Sequence, residues 1–141
     1  MSESGSGTEV AAQHSLDEQP PAVLSEEERV GIAFVPATVA GMPPTAQAFF
    51  AVVNANGSLA RGFNALASIR LAVGQYQVTF THSVTGSAFI GTLGLSGSVG
   101  GSPPGEIAVV DRAGVPHGVF VQTWNSAGVP ADRGFHLGIL S

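Results

Sequence analysis

Apolar and polar residues alternate most regularly between Gly74 and Phe80. A period of two places one set on each face of a β-strand. The two sets are Tyr76, Val78 and Phe80, and Gln75, Gln77 and Thr79. Turn-forming residues 82–86 and the apolar run 88–93 follow directly. We therefore expect a hairpin in a sheet with one face in water.

Short apolar runs separated by glycine, proline and asparagine continue along the chain, a pattern typical of many short strands. Further strands are predicted at 30–36, 47–54, 59–63, 67–73, 106–110, 117–125 and 134–140, with a break at 41–44. In the last strand, Phe135, Leu137 and Ile139 share one face. The prediction is an all-β fold, an antiparallel, jelly-roll-like β-sandwich of eight or nine strands.

Two stretches of this pattern resemble one another, residues 49–63 and residues 120–135. Each is an apolar strand, an Asn-x-x-Gly turn and then Arg-Gly-Phe. The likeness predicts two similar hairpins. Chance is the alternative, because turn chemistry permits few residue types.

Acidic residues are concentrated at the start of the chain, where seven of the ten precede Arg29. We divide the chain into an irregular acidic N-terminal arm, 1–29, and a β-sandwich domain, 30–141. Composition fits both a floppy tail and an arm that orders against a neighbouring subunit. Ser25-Glu26-Glu27-Glu28 has the form of a capping box and predicts a short helical turn that ends by Gly31.

The nearly neutral body lacks the basic stripe that a phosphate backbone requires, so we expect no nucleic-acid partner. No apolar run is long enough to cross a bilayer, and the first residues lack the features of a signal peptide. The expectation is cytoplasmic synthesis without a membrane span. Release into a virion or particle, or outside the cell by a non-classical route, would follow synthesis.

Candidate catalytic and metal-binding patterns are weak. His82, His117 and His136 lack a close metal-ligand spacing, so we expect solvated or locally hydrogen-bonded rings, with His136 opposite the core. The chain has no cysteine and no G-x-S-x-G nucleophile elbow. We predict no catalytic residue, no enzyme activity, no cofactor and no metal.

Charged residues make up only 11% of the chain, which indicates a surface that other subunits cover. Trp124 alternates with Gln122 and is predicted to face outward; Trp124, Phe120 and Gln122 are the candidate interface residues. Core packing and a platform for a sugar ring are the alternatives for Trp124.

A loop rich in glycine, serine and proline joins Gly94 to Gly105. Its composition fits a mobile tip. The alternative is a ligand-binding loop, for which Leu95, Ser98 and Ser102 are the candidate residues.

Several segments of the second half of the chain carry a resemblance to known proteins: 56–59 with Arg61-Gly62, 74–80, 88–94, 104–107, 118–121, 125–128 and 132–137. Together they resemble a group of small bacterial β-domains found alone or after collagen-like or fibre-like segments. The G-x-Y-x-V-x-F strand is also similar to one in trimeric jelly rolls of the C1q kind and in phage tail-fibre tips. The group carries cysteine where this chain has Ser87 and near Ser141, so the resemblance implies a disulfide lost as a pair.

These patterns favour a non-enzymatic structural protein that associates with itself, as a homo-oligomer such as a homotrimer, in a fibre, a phage tail or a similar particle. Its expected partners are other copies of the chain and other subunits of that particle. An adhesive carbohydrate-binding module, with glycans as partners, is the alternative.

Overall fold

The computed structural model describes residues 19–31, 33–36 and 48–141. Within these ranges lie α1 (Glu26–Gly31), β1 (Ala33–Pro36), β2 (Ala48–Val53), β3 (Leu59–Phe63), β4 (Ala65–Ala72), β5 (Gln75–Phe80), β6 (His82–Ser83), β7 (Ala88–Leu93), β8 (Glu106–Asp111), β9 (Gly118–Trp124) and β10 (Phe135–Leu140). The predicted break at 41–44 and most of the acidic arm, residues 1–18, lie outside the described residues.

Eight of the strands form two antiparallel sheets of four strands each. Sheet 1 has the order β3-β2-β10-β7, and sheet 2 has the order β4-β5-β9-β8. The short strands β1 and β6 pair in parallel beside them. The predicted all-β, sandwich-like class is confirmed at this level.

One apolar core lies between the two sheets. Alternate side chains of both sheets enter it, and the predicted inward face of β10 is confirmed. The buried members are Phe49, Ala51, Val53, Phe135, Leu137 and Ile139 from sheet 1, Tyr76, Val78, Phe80, Val119 and Val121 from sheet 2, and Val84 from the connection between β6 and β7.

The predicted hairpin of β5 with β7 is wrong. β5 pairs with β4 and β9 in sheet 2, whereas β7 pairs with β10 in sheet 1. The connection crosses between the sheets, and it is held there by the hydrogen bond from the Val84 amide to the Pro116 carbonyl oxygen, 2.9 Å long. Alternation identified the core face of β5 correctly, since Tyr76, Val78 and Phe80 are buried, but it carries no information about the neighbouring strand.

The predicted capping box is confirmed. The Ser25 hydroxyl accepts a hydrogen bond from the Glu28 amide at 3.1 Å, and the Glu28 carboxylate accepts one from the Ser25 amide at 2.9 Å. Because α1 extends to Gly31, the first strand begins later than predicted, at Ala33. The box fixes the side chain of Glu28, which the helix carries to sheet 2.

The two resembling stretches share a turn but not a strand pairing. The Gly57 amide donates to the Asn54 carbonyl oxygen at 2.8 Å, and the Gly128 amide donates to that of Asn125 at 3.0 Å. Both glycines have a positive φ. The first stretch is the predicted hairpin of β2 and β3. The second is not a hairpin, because β9 lies in sheet 2 and β10 in sheet 1.

Candidate functional site

The centre of the outer face of sheet 2 is buried. Gln77 and Thr79 of β5 are 1% and 0% exposed, although the sequence pattern predicted a face in water. Residues Gln19–Gly31, called the covering segment below, lie over them. The Thr79 hydroxyl donates to the Glu28 carboxylate, and the Gln77 side-chain amide donates to the Val23 carbonyl oxygen. The wet-face prediction is therefore wrong for these two residues.

Arg112 lies beside Gln77 and is only 2% exposed. Its Nε donates to the Gln77 side-chain oxygen at 2.7 Å. Its terminal nitrogens donate to the Gln19 side-chain oxygen at 2.8 Å, to the Pro20 carbonyl oxygen, and to the Pro21 carbonyl oxygen at 2.6 Å. All four acceptors are neutral oxygens. Burial lowers the pKa of this guanidinium from its usual value.

Gln19 is held through both atoms of its side-chain amide. Its oxygen also accepts a hydrogen bond from the Ala113 amide at 2.8 Å, and its nitrogen donates to the Asp111 carbonyl oxygen at 2.8 Å. This hydrogen-bonded group of Gln19 and Arg112 was not predicted from the sequence. The signal that could have indicated it is Gln19-Pro20-Pro21, because prolines favour an extended chain that offers carbonyl oxygens without amide donors.

The predicted interface residues of β9 lie on this same outer face. Phe120 is buried, with the Arg112 guanidinium carbon 5.7 Å from its ring centre. Gln122 and Trp124 are half-buried. Phe120 therefore lies against its own chain, and contact of Gln122 and Trp124 with another subunit stays a prediction.

The centre of the outer face of sheet 1 is apolar and exposed. Phe50, Gly138 and Ile90 stand directly opposite one another on β2, β10 and β7. Phe50 is 42% exposed, Ile90 is 60% exposed and Leu140, at the end of β10, is 46% exposed. An open cavity of about 450 Å³ runs over Gly138; its lining residues are Phe50, Ala51, Val52, Arg61, Ile90, Thr92, His136, Leu137 and Gly138.

The loop between β7 and β8 is attached to the body at both ends. Arg61 donates to the Ser96 carbonyl oxygen at 2.7 Å, and Arg133 donates to that of Pro104 at 3.0 Å. Of the candidate ligand residues, Ser102 lines a cavity of about 400 Å³ with Thr92. The Leu95 carbonyl oxygen lies 3.0 Å from His136 Nε2, and Ser98 is exposed at the tip. Leu95 and Ser98 do not line that cavity.

The three predicted histidines differ in their surroundings. His82 Nδ1 is 2.9 Å from the Thr81 hydroxyl, and His136 lies opposite the core, as predicted. His117 contradicts the prediction of a solvated or hydrogen-bonded ring, because it is buried and neither ring nitrogen has a hydrogen-bond partner among the described residues. Burial lowers the pKa of His117, against the opposing effect of the Glu28 charge. In the part of the chain that the structure describes, no group of three or more His, Cys, Asp or Glu could hold a metal ion.

Asp132 joins sheet 2 to the approach to β10. Its carboxylate accepts hydrogen bonds from the Gly74 amide and from Arg70 Nε, both at 2.8 Å. Partial burial acts to raise the pKa of Asp132, but these hydrogen bonds and the charge of Arg70 outweigh it and hold the pKa below its usual value. Nearby, the buried Tyr76 hydroxyl donates to the Ala55 carbonyl oxygen at 2.7 Å.

The residues implied to replace a disulfide lie together. The Ser87 and Ser141 hydroxyl oxygens are 2.9 Å apart, next to the paired residues Ala88 and Leu140 of β7 and β10. The pair therefore lies at one end of the sheet 1 ladder.

No protein-family model matches the chain, and comparison with curated proteins and with solved structures gives no match. No helix of the described ranges is long and apolar enough to cross a membrane.

Proposed function

We propose that the chain is a non-enzymatic structural protein whose outer face of sheet 1 binds a second copy of the same chain. The supporting observation is the exposed apolar surface of that face, formed by Phe50 and Ile90 at its centre and by Leu140 at the end of β10. Exposed apolar patches of this kind on soluble domains commonly mark protein contacts.

A second copy fits this face better than a charged partner does. Of the described residues, Arg61 is the only charged one that lines the cavity, and it already donates to the Ser96 carbonyl oxygen. Gly138 has no side chain, so a groove lies between the Phe50 and Ile90 side chains. These two side chains are large enough to enter the same groove of another copy. Self-complementary surfaces of this kind are the basis of isologous dimers and of larger symmetric assemblies.

The assembly that this contact builds would be a homo-oligomer, such as a trimer, within a fibre, a phage tail or a comparable particle. The resemblance to small bacterial β-domains and tail-fibre tips supports that context. The jelly-roll form stays a prediction. The contact does not depend on it, since Phe50, Gly138 and Ile90 lie on three adjacent strands of one sheet.

The experiment is the absolute mass of the full chain in solution, measured by light scattering from one to one hundred micromolar, roughly the range in which weak self-association shows. Ile90→Asp places a charge at the centre of the face and should lower the average mass below that of the wild-type chain. Val99→Asp is the matched control, because Val99 is exposed in the β7–β8 loop and does not line the cavity over Gly138. A monomeric wild-type chain throughout that range would refute the proposal.

The second candidate function is glycan binding by an adhesive module. The observation in its favour is the cavity of about 400 Å³ beside the β7–β8 loop, which Ser102 and Thr92 line. A glycan array tests it, with Ser102→Ala as the variant that should lose binding. An array without any signal for the wild-type chain would remove this candidate.

A further inference from the structure

The start of the covering segment is held by a set of residues called the peptide groove below. These residues are Gln77, Asp111, Arg112 and Ala113. Arg112 and Gln77 between them bind the Pro20, Pro21 and Val23 carbonyl oxygens. One side chain, Gln19, is read in addition, through three hydrogen bonds to the site. A buried guanidinium with several carbonyl acceptors is a peptide-binding arrangement, since its charge strengthens each bond.

The recognised sequence suits such a site. Two consecutive prolines favour the extended polyproline conformation, which exposes carbonyl oxygens and has little conformational entropy to lose on binding. Prolines also bring no amide hydrogens that would need acceptors in the groove. The groove therefore selects an extended segment of the form Gln-Pro-Pro.

We propose that this groove also binds residues Gln19–Val23 of a second copy of the chain, so that two copies exchange their segments. Every hydrogen bond described above joins residues more than fifty positions apart in sequence. The same bonds form whichever copy supplies the segment, which is the condition for exchange of an identical element between subunits.

The length of the chain between segment and sandwich permits the exchange. Because β1 pairs with β6, the exchanged part includes α1 and β1 as well as the segment. The connection that must reach the second copy is then residues 37–47, the eleven residues between β1 and β2. Fully extended, they span at most about 40 Å, more than the diameter of a domain of this size. The high local concentration of a tethered segment favours the closed monomer in dilute solution, and the exchanged form gains as protein concentration rises.

Two variants that complement each other test the exchange. Arg112→Ala spoils the groove and keeps the segment, whereas Gln19→Ala weakens the segment and keeps the groove. A dimer of either variant alone has no contact between an unaltered segment and an unaltered groove. A mixed dimer has one such contact, between the segment of the Arg112→Ala chain and the groove of the Gln19→Ala chain. Both variants also carry Ile90→Asp, so that contact through sheet 1 does not contribute.

The readout is native mass spectrometry of the mixture, with one variant labelled with nitrogen-15. We expect the mixed dimer to exceed either homodimer about tenfold, the ratio that corresponds to about 1.4 kcal/mol of lost hydrogen bonding. A statistical distribution of dimers, or no dimer at one hundred micromolar (a concentration at which roughly 5 kcal/mol of binding would show), would overturn the exchange. Because Ile90→Asp is present throughout, that result would leave the sheet 1 proposal standing.

A second groove variant covers failure of Arg112→Ala to fold. Residues Arg112–Val115 form a turn in which the Val115 amide donates to the Arg112 carbonyl oxygen at 3.0 Å and Gly114 has φ 78°. Proline is favoured at the second position of such a turn. Ala113→Pro therefore keeps the turn and removes the amide that donates to Gln19. It should give the same excess of mixed dimer, smaller in size, and no excess would count against the exchange.

Discussion

The outer faces of the two sheets differ in burial in the opposite sense from the one that the polarity of their side chains would predict. At the centre of sheet 2 the outward side chains Gln77 and Thr79 are polar and buried, whereas at the centre of sheet 1 the outward side chains Phe50 and Ile90 are apolar and exposed. The difference follows from the hydrogen-bond donors that each face offers to a segment lying over it. An irregular segment must pair its own carbonyl oxygens, so it lies where Gln77 and Arg112 supply donors.

An apolar face offers no such donors. It is stabilised only by another surface whose backbone is already paired, such as the sheet of a second copy. The polar face therefore suits a peptide segment and the apolar face suits a folded domain.

The largest effect is expected from tying the edge of sheet 1. Ser87→Cys with Ser141→Cys should form a disulfide, because the two hydroxyl oxygens are 2.9 Å apart. It would close a loop of about 55 residues and stabilise the oxidised chain by up to about 4 kcal/mol. Urea denaturation with and without reductant measures the gain, and Ser87→Cys alone is the control. Free thiols that persist under oxidising conditions would contradict the geometry.

The next largest effect is the loss of stability when the arginine on each outer face, Arg112 or Arg61, is replaced by alanine. Arg112→Ala leaves the Gln77 side-chain oxygen and the carbonyl oxygens of the covering segment without their donor, and should cost about 3 kcal/mol of unfolding free energy. Arg61→Ala removes an exposed side chain with one hydrogen bond, to Ser96, and should cost less than about 1 kcal/mol. Fluorescence of Trp124, the only tryptophan, follows both transitions. Equal losses would show that the covering segment contributes little.

A smaller effect is expected at the start of α1. Ser25→Ala removes the hydroxyl that caps the Glu28 amide and should cost about 1 kcal/mol. Ser25→Asp restores an acceptor and should recover most of it. Hydrogen exchange at the amides of α1 measures the change locally. If Ser25→Ala leaves exchange unaltered, the box does not hold the helix on sheet 2.

The sequence predicted local structure well because local structure depends on neighbouring residues. The capping box at Ser25–Glu28 and the Asn-x-x-Gly turns at Asn54 and Asn125 have the expected hydrogen bonds. The strand bounds of β3 and β7 agree with the structure for the same reason.

Pairing and burial were less predictable because they depend on distant residues. Nothing local to Gln77 shows that Val23, more than fifty positions away, covers it, or that Arg112 lies beside it. The hairpin of β5 with β7 failed on the same ground, since the edges of β5 are occupied by β4 and β9. Of the predicted site residues, Phe120 lies at the covered face, but the pattern did not indicate that its cover comes from the same chain.

The smallest effect is expected from pH and concerns His117, whose charge balance includes Glu28 of the covering segment. Burial lowers the pKa of His117 below its unfolded value of 6.5, so the unfolded chain takes up the proton first as the pH falls. The stability present above pH 6.5 is therefore lost progressively below it. Asp132 acts in the same direction but only in stronger acid, because its unfolded value is 3.8. Urea midpoints between pH 7.5 and pH 3, roughly the span of these unfolded values, separate the two. His117→Leu should flatten the upper part of the profile and Asp132→Asn the lower part, whereas an unchanged upper part in His117→Leu would show that this ring takes up no proton on unfolding.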